Sequence, residues 1–442
     1  MKNFIKIHSK IPDFNQTITI PGDKSISIRC ILLGAQAYGK SKFYNLLDSD
    51  DVNSAINAVK SLGVTVKKTK YFHQISGAGL NGFHSKKNLV INCGNSGTLA
   101  RLLCGMLASY SNKVKITGDS SLSKRDFSRI IKPLKLFGVK FKSAKKNLPI
   151  EINGSNFLRP IHYFEKKGSA QVKSSIMLAA LNTPGITSIK SKPSRNHTEN
   201  IFKYCLKLPI NIKKKKNLEI INLKGQNNFK SFNYIIPGDI SAAAFFIVLT
   251  LLSKNSKLKI KNVNVNSSRV GIIIILKRMG AKINLTNKKF YNGEYNADLL
   301  IKSTKKFKSI NCPSNLNTKS IDEFLIIFLV CAKADGVSKF NKIHELRQKE
   351  SDRLKFAAKF LKMIGVKVEE KYDSLKIYGN PNLNLDGNFT IKNFLKDHRV
   401  FMMTCIAALS FGGRFRIHDK KSINSSFPDF LQIIRKLGGR II

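Results

Sequence analysis

Several short clusters in this 442-residue chain combine cations with small polar residues at spacings that suit phosphate and carboxylate ligands. In Pro21-Gly-Asp-Lys-Ser-Ile-Ser-Ile-Arg29, Lys24, Ser25 and Arg29 gather at an expected helix start. Lys24 and Arg29 fall on roughly one side of its first turns, where an anion is their natural partner. Gly94-Asn95-Ser96-Gly97-Thr98, with Arg101 a turn further on, lets a ligand come close to the backbone. The same string also serves as an ordinary turn. Gly118-Asp119-Ser-Ser-Leu-Ser-Lys124-Arg125 reads as a flexible loop ending in two cations, equally consistent with a plain surface loop. In Glu345-Leu-Arg-Gln-Lys349-Glu350-Ser-Asp352-Arg353-Leu354, Lys349 and Arg353 stand four apart with Glu350 beside them. Ion pairing on a helix surface is the competing reading there. Asp397-His398-Arg399 precedes the last apolar helix, where His398 reads as a cap or core residue before it reads as a catalyst.

A repeat positions these clusters. A helix-like end, a Gly and an alternating strand recur at Gly63, Gly138, Gly280, Gly365 and Gly438, with a degenerate copy at Lys207-Leu208-Pro209-Ile210. The copies are roughly 70 to 85 residues apart. Gly is the expected left-handed residue after a helix, and the alternation after it predicts a strand with one buried face. Each unit also holds a polar turn running into a long apolar helix: at Lys24, Gly97, Ser169, Asp239, Asp322 and Asp397. Helices apolar on all sides, such as Ala242 to Leu252, must be buried inside a domain. Six units suggest two lobes of three, and six helix N-termini facing one cleft would make an anion site. Simple capping by Ser, Asp or Asn accounts for any one of these motifs alone.

The formal net charge is +50, yet lysine is spread along the whole chain and no arginine-rich arm or zinc-finger spacing occurs. This favours a lysine-rich solvated surface over a nucleic-acid-binding patch. Seven cysteines, odd in number and without a Cys-x-x-Cys pair, read as buried free thiols in a reducing compartment. The first ten residues have no apolar signal core, and the longest apolar run is too short to span a bilayer, so a cytoplasmic protein is expected.

The ordered set Pro-Gly-Asp-Lys-Ser-Ile-Ser-x-Arg, Gly-Asn-Ser-Gly-Thr, Ser-Ala-Gln-Val-Lys-Ser, Pro-Gly-Asp-Ile-Ser, Lys-Glu-Ser-Asp-Arg-Leu and Asp-His-Arg resembles the 5-enolpyruvylshikimate-3-phosphate synthases, from about Pro21 to Phe430. The resemblance implies a two-lobed inside-out α/β barrel. Each lobe has three βαββαβ repeats with buried parallel helices, and the active site lies in the interlobe cleft. Residues 22–236 would form the first lobe; residues 1–21 and 237–442 would form the second. The implied reaction moves the enolpyruvyl group of phosphoenolpyruvate to the 5-hydroxyl of shikimate 3-phosphate through a tetrahedral intermediate. It needs no metal and no organic cofactor. Its partners are these two small molecules, with no nucleic acid and no membrane, in a monomer.

By matched motif, Lys24 contacts both substrates, and Ser25 and Arg29 take the shikimate carboxylate side. Ser169, the backbone at Ala170, and Gln171 hold shikimate 3-phosphate, with Arg195 on its phosphate and Lys349 on the same substrate. Gly97, Arg125, Gln171, Arg353 and Arg399 surround phosphoenolpyruvate. Asp322 is the matched base for the 5-hydroxyl and Glu350 the matched acid, with Lys24 an alternative proton relay. Asp239 is expected to cap its helix. Gly97 leaves room beside phosphoenolpyruvate, as in members sensitive to glyphosate. The chain departs from the pattern at Ile28, where His or Asn is usual, and at Asn196, Ala242, Asp126 and Ser425. Lys420 or Lys421 is the nearest lysine to the last of these. A sister enzyme acting on a UDP-amino sugar fits less well, because Lys24-Ser25 replaces its Lys-Asn pair and the loop from Gly118 to Arg125 has no Cys. RNA 3′-phosphate cyclases share the architecture, but their nucleotide-linked His chemistry has no matching motif here.

Overall fold

The computed structural model describes residues 3–143 and 146–442 and divides into two compact units. One comprises Gly22–Ile236 with Phe290–Glu294; the other comprises Met1–Pro21, Pro237–Lys289 and Tyr295–Ile442. Met1 and Lys2, placed at the start of the second lobe on sequence, lie outside the described residues.

All six apolar helices form. They are α1 (Lys24–Gln36), α2 (Gly97–Met106), α3 (Ala170–Leu181), α4 (Ile240–Leu252), α5 (Phe324–Ala332) and α6 (His398–Phe411). Every residue of α4 and α5 is buried, as their uniformly apolar sequences require. In the 22–236 unit, α2 packs between α1 and α3. Gly105 of α2 is needed for that approach, since a Cβ there would lie 2.0 Å from the Ser175 carbonyl oxygen of α3. In the other unit α4, α5 and α6 pack on one another, and Phe324 and Phe328 of α5 meet Phe340 of the strand Val337–Phe340 edge-on.

Sheets wall in each helix trio. The 22–236 unit has three four-stranded sheets of one design: a parallel pair followed by two antiparallel strands. The second runs Leu89–Asn92, Lys113–Thr117, Ile150–Asn153, Lys140–Lys142, and α2 is the crossover between its two parallel strands. Alternating residues of these strands point inward, as Val114, Ile116, Ile150 and Ile152 do, each fully buried. Strands at the chain crossings close the design. Asn15–Thr19 precedes α1 but pairs with Lys257–Asn264, whereas Asn233–Ile235 precedes α4 but pairs with Tyr38–Tyr44.

The repeat glycines Gly63, Gly138, Gly280, Gly365 and Gly438 all have φ between +80° and +107°, and Lys207 takes φ +51° in the degenerate copy. This is the left-handed helix exit that set the period. Among the described residues no helix is long and apolar enough to cross a membrane. All seven cysteines are free thiols, and burial pushes Cys104 and Cys331 up to about 12.

Phe328 is fully buried between Phe324 of α5 and Phe340 of the strand Val337–Phe340. Phe328→Ala is expected to destabilise the protein by about 3–5 kcal/mol, measured as a lower urea midpoint with an unchanged slope.

Candidate functional site

The helix N-termini carry the polar residues singled out in sequence, and five of the six are capped by the preceding side chain. Asp23, Ser96, Ser169, Asp239 and Asp397 each accept from a backbone N–H of the first turn. Each of these caps satisfies one of the orphan N–H groups at the start of its helix.

In the 22–236 unit, Lys24 opens α1 and pairs with Asp51 at 2.8 Å. Arg29, one turn on, is nearly buried and donates to Thr198 Oγ1 (2.7 Å), the Ser25 carbonyl (2.9 Å) and Ser174 Oγ (2.9 Å). A second group joins α2 and α3. Gln171 Oε1 accepts from Arg101 at 2.8 Å, and its amide donates to Thr98 Oγ1 at 3.1 Å. Arg101 also lies over the Phe127 ring. Arg125 donates to Asn95 Oδ1 and Ser121 Oγ. Gly97 sits between the two arginines: a Cβ there would lie 2.8 Å from Arg125 Nη1 and 2.9 Å from Arg101 Nη1. The loop carrying Arg125 is more ordered than a flexible loop. Asp119 accepts from the Ser121 and Leu122 amides, and Leu122 anchors a 3-10 turn, Leu122–Lys124, in the core. At α3, the buried Glu165 carboxylate accepts from the amides of Lys167 (3.2 Å), Gly168 and Ser169 (2.8 Å), setting the turn that presents Ser169 and Ala170. Arg195 is half-buried and lies just before the short helix His197–Asn200.

In the other unit, Asp322, Lys349, Glu350, Arg353, Asp397 and Arg399 form one connected cluster. Asp322 Oδ1 is 3.2 Å from Lys349 Nζ and 3.6 Å from Arg353 Nη1, and the Asp322 carbonyl accepts from Arg399 at 2.8 Å. Arg353 contacts Glu350 and grips both oxygens of Asp397, at 2.9 and 3.2 Å. Ser351 Oγ adds a bond to Asp397 at 2.8 Å. Burial works against the Arg353 cation, but Asp397, Glu350 and Asp322 outweigh it and hold its pKa above the ordinary value. The helix-surface reading of Lys349 and Arg353 is therefore corrected. Lys349 follows a 3-10 turn, the helix begins only at Arg353, and Arg353 is 1% exposed. Asp239 caps α4 as expected and is also held by Arg269 at 3.0 Å.

Two departures find a physical account. Ile28 is fully buried on the core side of α1, so it fills volume there and presents nothing to a ligand. The Ser425 hydroxyl lies 3.1 Å from His398 Nδ1. Sequence reasoning missed Asp51, Glu165, Arg269, Asp397 as the partner of Arg353, and the buried pair of His197 and Glu294. Among the described residues no group of three His, Cys, Asp or Glu side chains could hold a metal ion.

A family model described as EPSP synthase (3-phosphoshikimate 1-carboxyvinyltransferase) matches residues 9–434. The chain is 39% identical to the 3-phosphoshikimate 1-carboxyvinyltransferase of Zymomonas mobilis, covering 98% of this chain and 96% of that one. It is 40% identical to the protein of the same name from Bartonella henselae, over 96% of each. Among solved structures it is similar to an EPSP synthase from Acinetobacter baumannii, with a TM-score of 0.85, 34% identity and 99% of both chains covered. The enolpyruvyl transferase NikO from Streptomyces tendae, 14% identical with a TM-score of 0.77 over 99% of this chain and 98% of that one, shares the fold.

The Arg353–Asp397 pair tests the electrostatic frame. Asp397→Ala leaves a buried guanidinium short of its main counter-charge and is expected to cost about 3–5 kcal/mol of stability, read by urea denaturation.

Proposed function

The chain belongs to the EPSP synthase family, and we propose that it transfers the enolpyruvyl group of phosphoenolpyruvate to the 5-hydroxyl of shikimate 3-phosphate, releasing phosphate on the way to aromatic amino acids. The observation that carries the residue assignment is the connected cluster of Asp322, Lys349, Glu350, Arg353 and Arg399, which brings two carboxylates and three cations together. The substrates carry two phosphates and two carboxylates, so cations in number are what binding them demands.

Asp322 takes the proton of the 5-hydroxyl as its oxygen bonds to the central carbon of phosphoenolpyruvate. Glu350 gives a proton to the methylene carbon, which becomes a methyl group. The tetrahedral adduct then loses phosphate, and Glu350, left as a carboxylate, takes a proton back from that methyl group to restore the double bond. Lys349, Arg353 and Arg399 are shared between the carboxylates and the anionic substrates. Gly97, Arg125 and Gln171 border phosphoenolpyruvate, with Arg101 beside them. Lys24 serves both substrates. Ser25, Arg29, Ser169, Ala170 and Arg195 hold shikimate 3-phosphate. Seven free thiols support a cytoplasmic setting, and a monomer is the simplest assembly for this two-unit chain.

Phosphate release from phosphoenolpyruvate tests the reading. It is expected to require shikimate 3-phosphate and to fall by about 10²–10⁴-fold in Asp322→Asn. Release with a UDP-amino sugar instead, or an Asn variant within a few-fold of wild type, would contradict it. Glyphosate is expected to compete with phosphoenolpyruvate. Because a methyl at position 97 must displace Arg125 or Arg101, Gly97→Ala is expected to weaken glyphosate inhibition strongly and also to raise the KM for phosphoenolpyruvate, measured by inhibition kinetics on both forms.

A further inference from the structure

All four side chains of the short helix His197–Asn200 bond to other elements. His197 Nδ1 lies 2.7 Å from Glu294 Oε1, with both side chains buried. Thr198 Oγ1 accepts from Arg29 at 2.7 Å and lies 2.7 Å from Ser174 Oγ. Glu199 pairs at 2.6 Å with Lys173, which is buried within α3. The Asn200 amide donates to the Gly293 carbonyl (2.7 Å) and to Glu294 Oε1 (3.1 Å). The turn is thus tied on one side to the helices bearing Arg29 and Gln171, and on the other to Gly293 and Glu294. Arg195 stands two residues before it.

The segment Phe290–Glu294 is seated by fit as well as charge. Phe290 packs edge-on against Tyr204, with ring centroids 5.4 Å apart. Gly293 has φ +85°, and a Cβ there would lie 2.6 Å from Tyr204 and 2.9 Å from Asn200. This position therefore excludes side chains on both conformation and space. Glu294 is 1% exposed, and its carboxylate is hydrogen-bonded to His197 and Asn200.

We propose that Glu294 is a positioning residue for recognition of the 3-phosphate: through His197 and Asn200 it fixes the turn that sets where Arg195 points. This rests on the reading of Arg195 as a ligand of that phosphate. Removing the carboxylate takes the acceptor from the buried His197 ring nitrogen, and leaves the Asn200 amide only the Gly293 carbonyl of its two acceptors. Thr198 and Glu199 still hold the rest of the turn, so the change is local. Arg195 then loses its register, and a misplacement of about 1 Å is enough to cost a large factor in recognition. Gly97 and Arg125, assigned to phosphoenolpyruvate, stand on other elements.

Wild type, Arg195→Ala, Glu294→Ala, Glu294→Asp and Glu294→Gln are compared by steady-state kinetics with each substrate varied, alongside thermal melting. Glu294→Ala is expected to raise the KM for shikimate 3-phosphate by about tenfold or more, with the KM for phosphoenolpyruvate within about twofold and kcat within about threefold. Glu294→Gln retains an acceptor for both partners and is expected to recover most of that KM. If the Ala variant does not fold, Glu294→Asp carries the test, because its shorter side chain withdraws the carboxylate from His197 and should give the same selective rise. An unchanged KM for shikimate 3-phosphate in folded Ala or Asp protein, or equal losses on both substrates that follow the melting temperature, would overturn the proposal. If Arg195→Ala alone raised that KM, the assignment of Arg195 would stand and the role of Glu294 would fall. Wild type that fails to turn over shikimate 3-phosphate would remove the functional reading and this proposal together.

Discussion

Burying a helix that is apolar on every side leaves only its two ends available for polar chemistry. The constraint is severe for α4 and α5, whose residues are all buried. The first N–H groups of such a helix lack intrahelical partners and must be met by caps, side chains or ligands. Asp23, Ser96, Ser169, Asp239 and Asp397 meet part of that need. Lys24, Gly97, Ala170 and Arg399 stand beside these caps in the same first turns. The sheets wall the helix flanks, the repeat places each helix, and the charged residues follow the helix ends.

The second governing feature is compensation. Lys24 has Asp51, Arg353 has Asp397 and Glu350, Lys173 has Glu199, and Arg269 has Asp239. Lys173, Arg269 and Arg353 are fully buried, so removing the paired anion would strand an uncompensated charge away from water. The excess charge of +50 sits elsewhere, on exposed lysines such as Lys67, Lys68, Lys70, Lys213, Lys214, Lys215 and Lys216.

Much of this architecture was legible from local signals. A glycine after a helix and an alternating strand after the glycine are short-range patterns, so the period could be read directly, as could the six apolar helices. What escaped was contact between distant residues. Asp51 is far in sequence from Lys24, Asp397 from Arg353, and Glu294 from His197, and no local pattern marks them as partners. The spacing of Lys349 and Arg353 misled for a related reason. Four residues apart implies one helix face only inside a helix, and here the helix starts at Arg353 under the cap of Asp352. Ile28 stood out against its relatives, yet its side chain faces the core, which an isolated motif does not reveal.

A crystal structure with shikimate 3-phosphate bound decides most directly whether the helix ends are the substrate site. The 3-phosphate is expected against Ser169, Ala170 and Arg195, and the carboxylate against Ser25 and Arg29. A substrate bound with its phosphate away from the start of α3 would contradict the assignment.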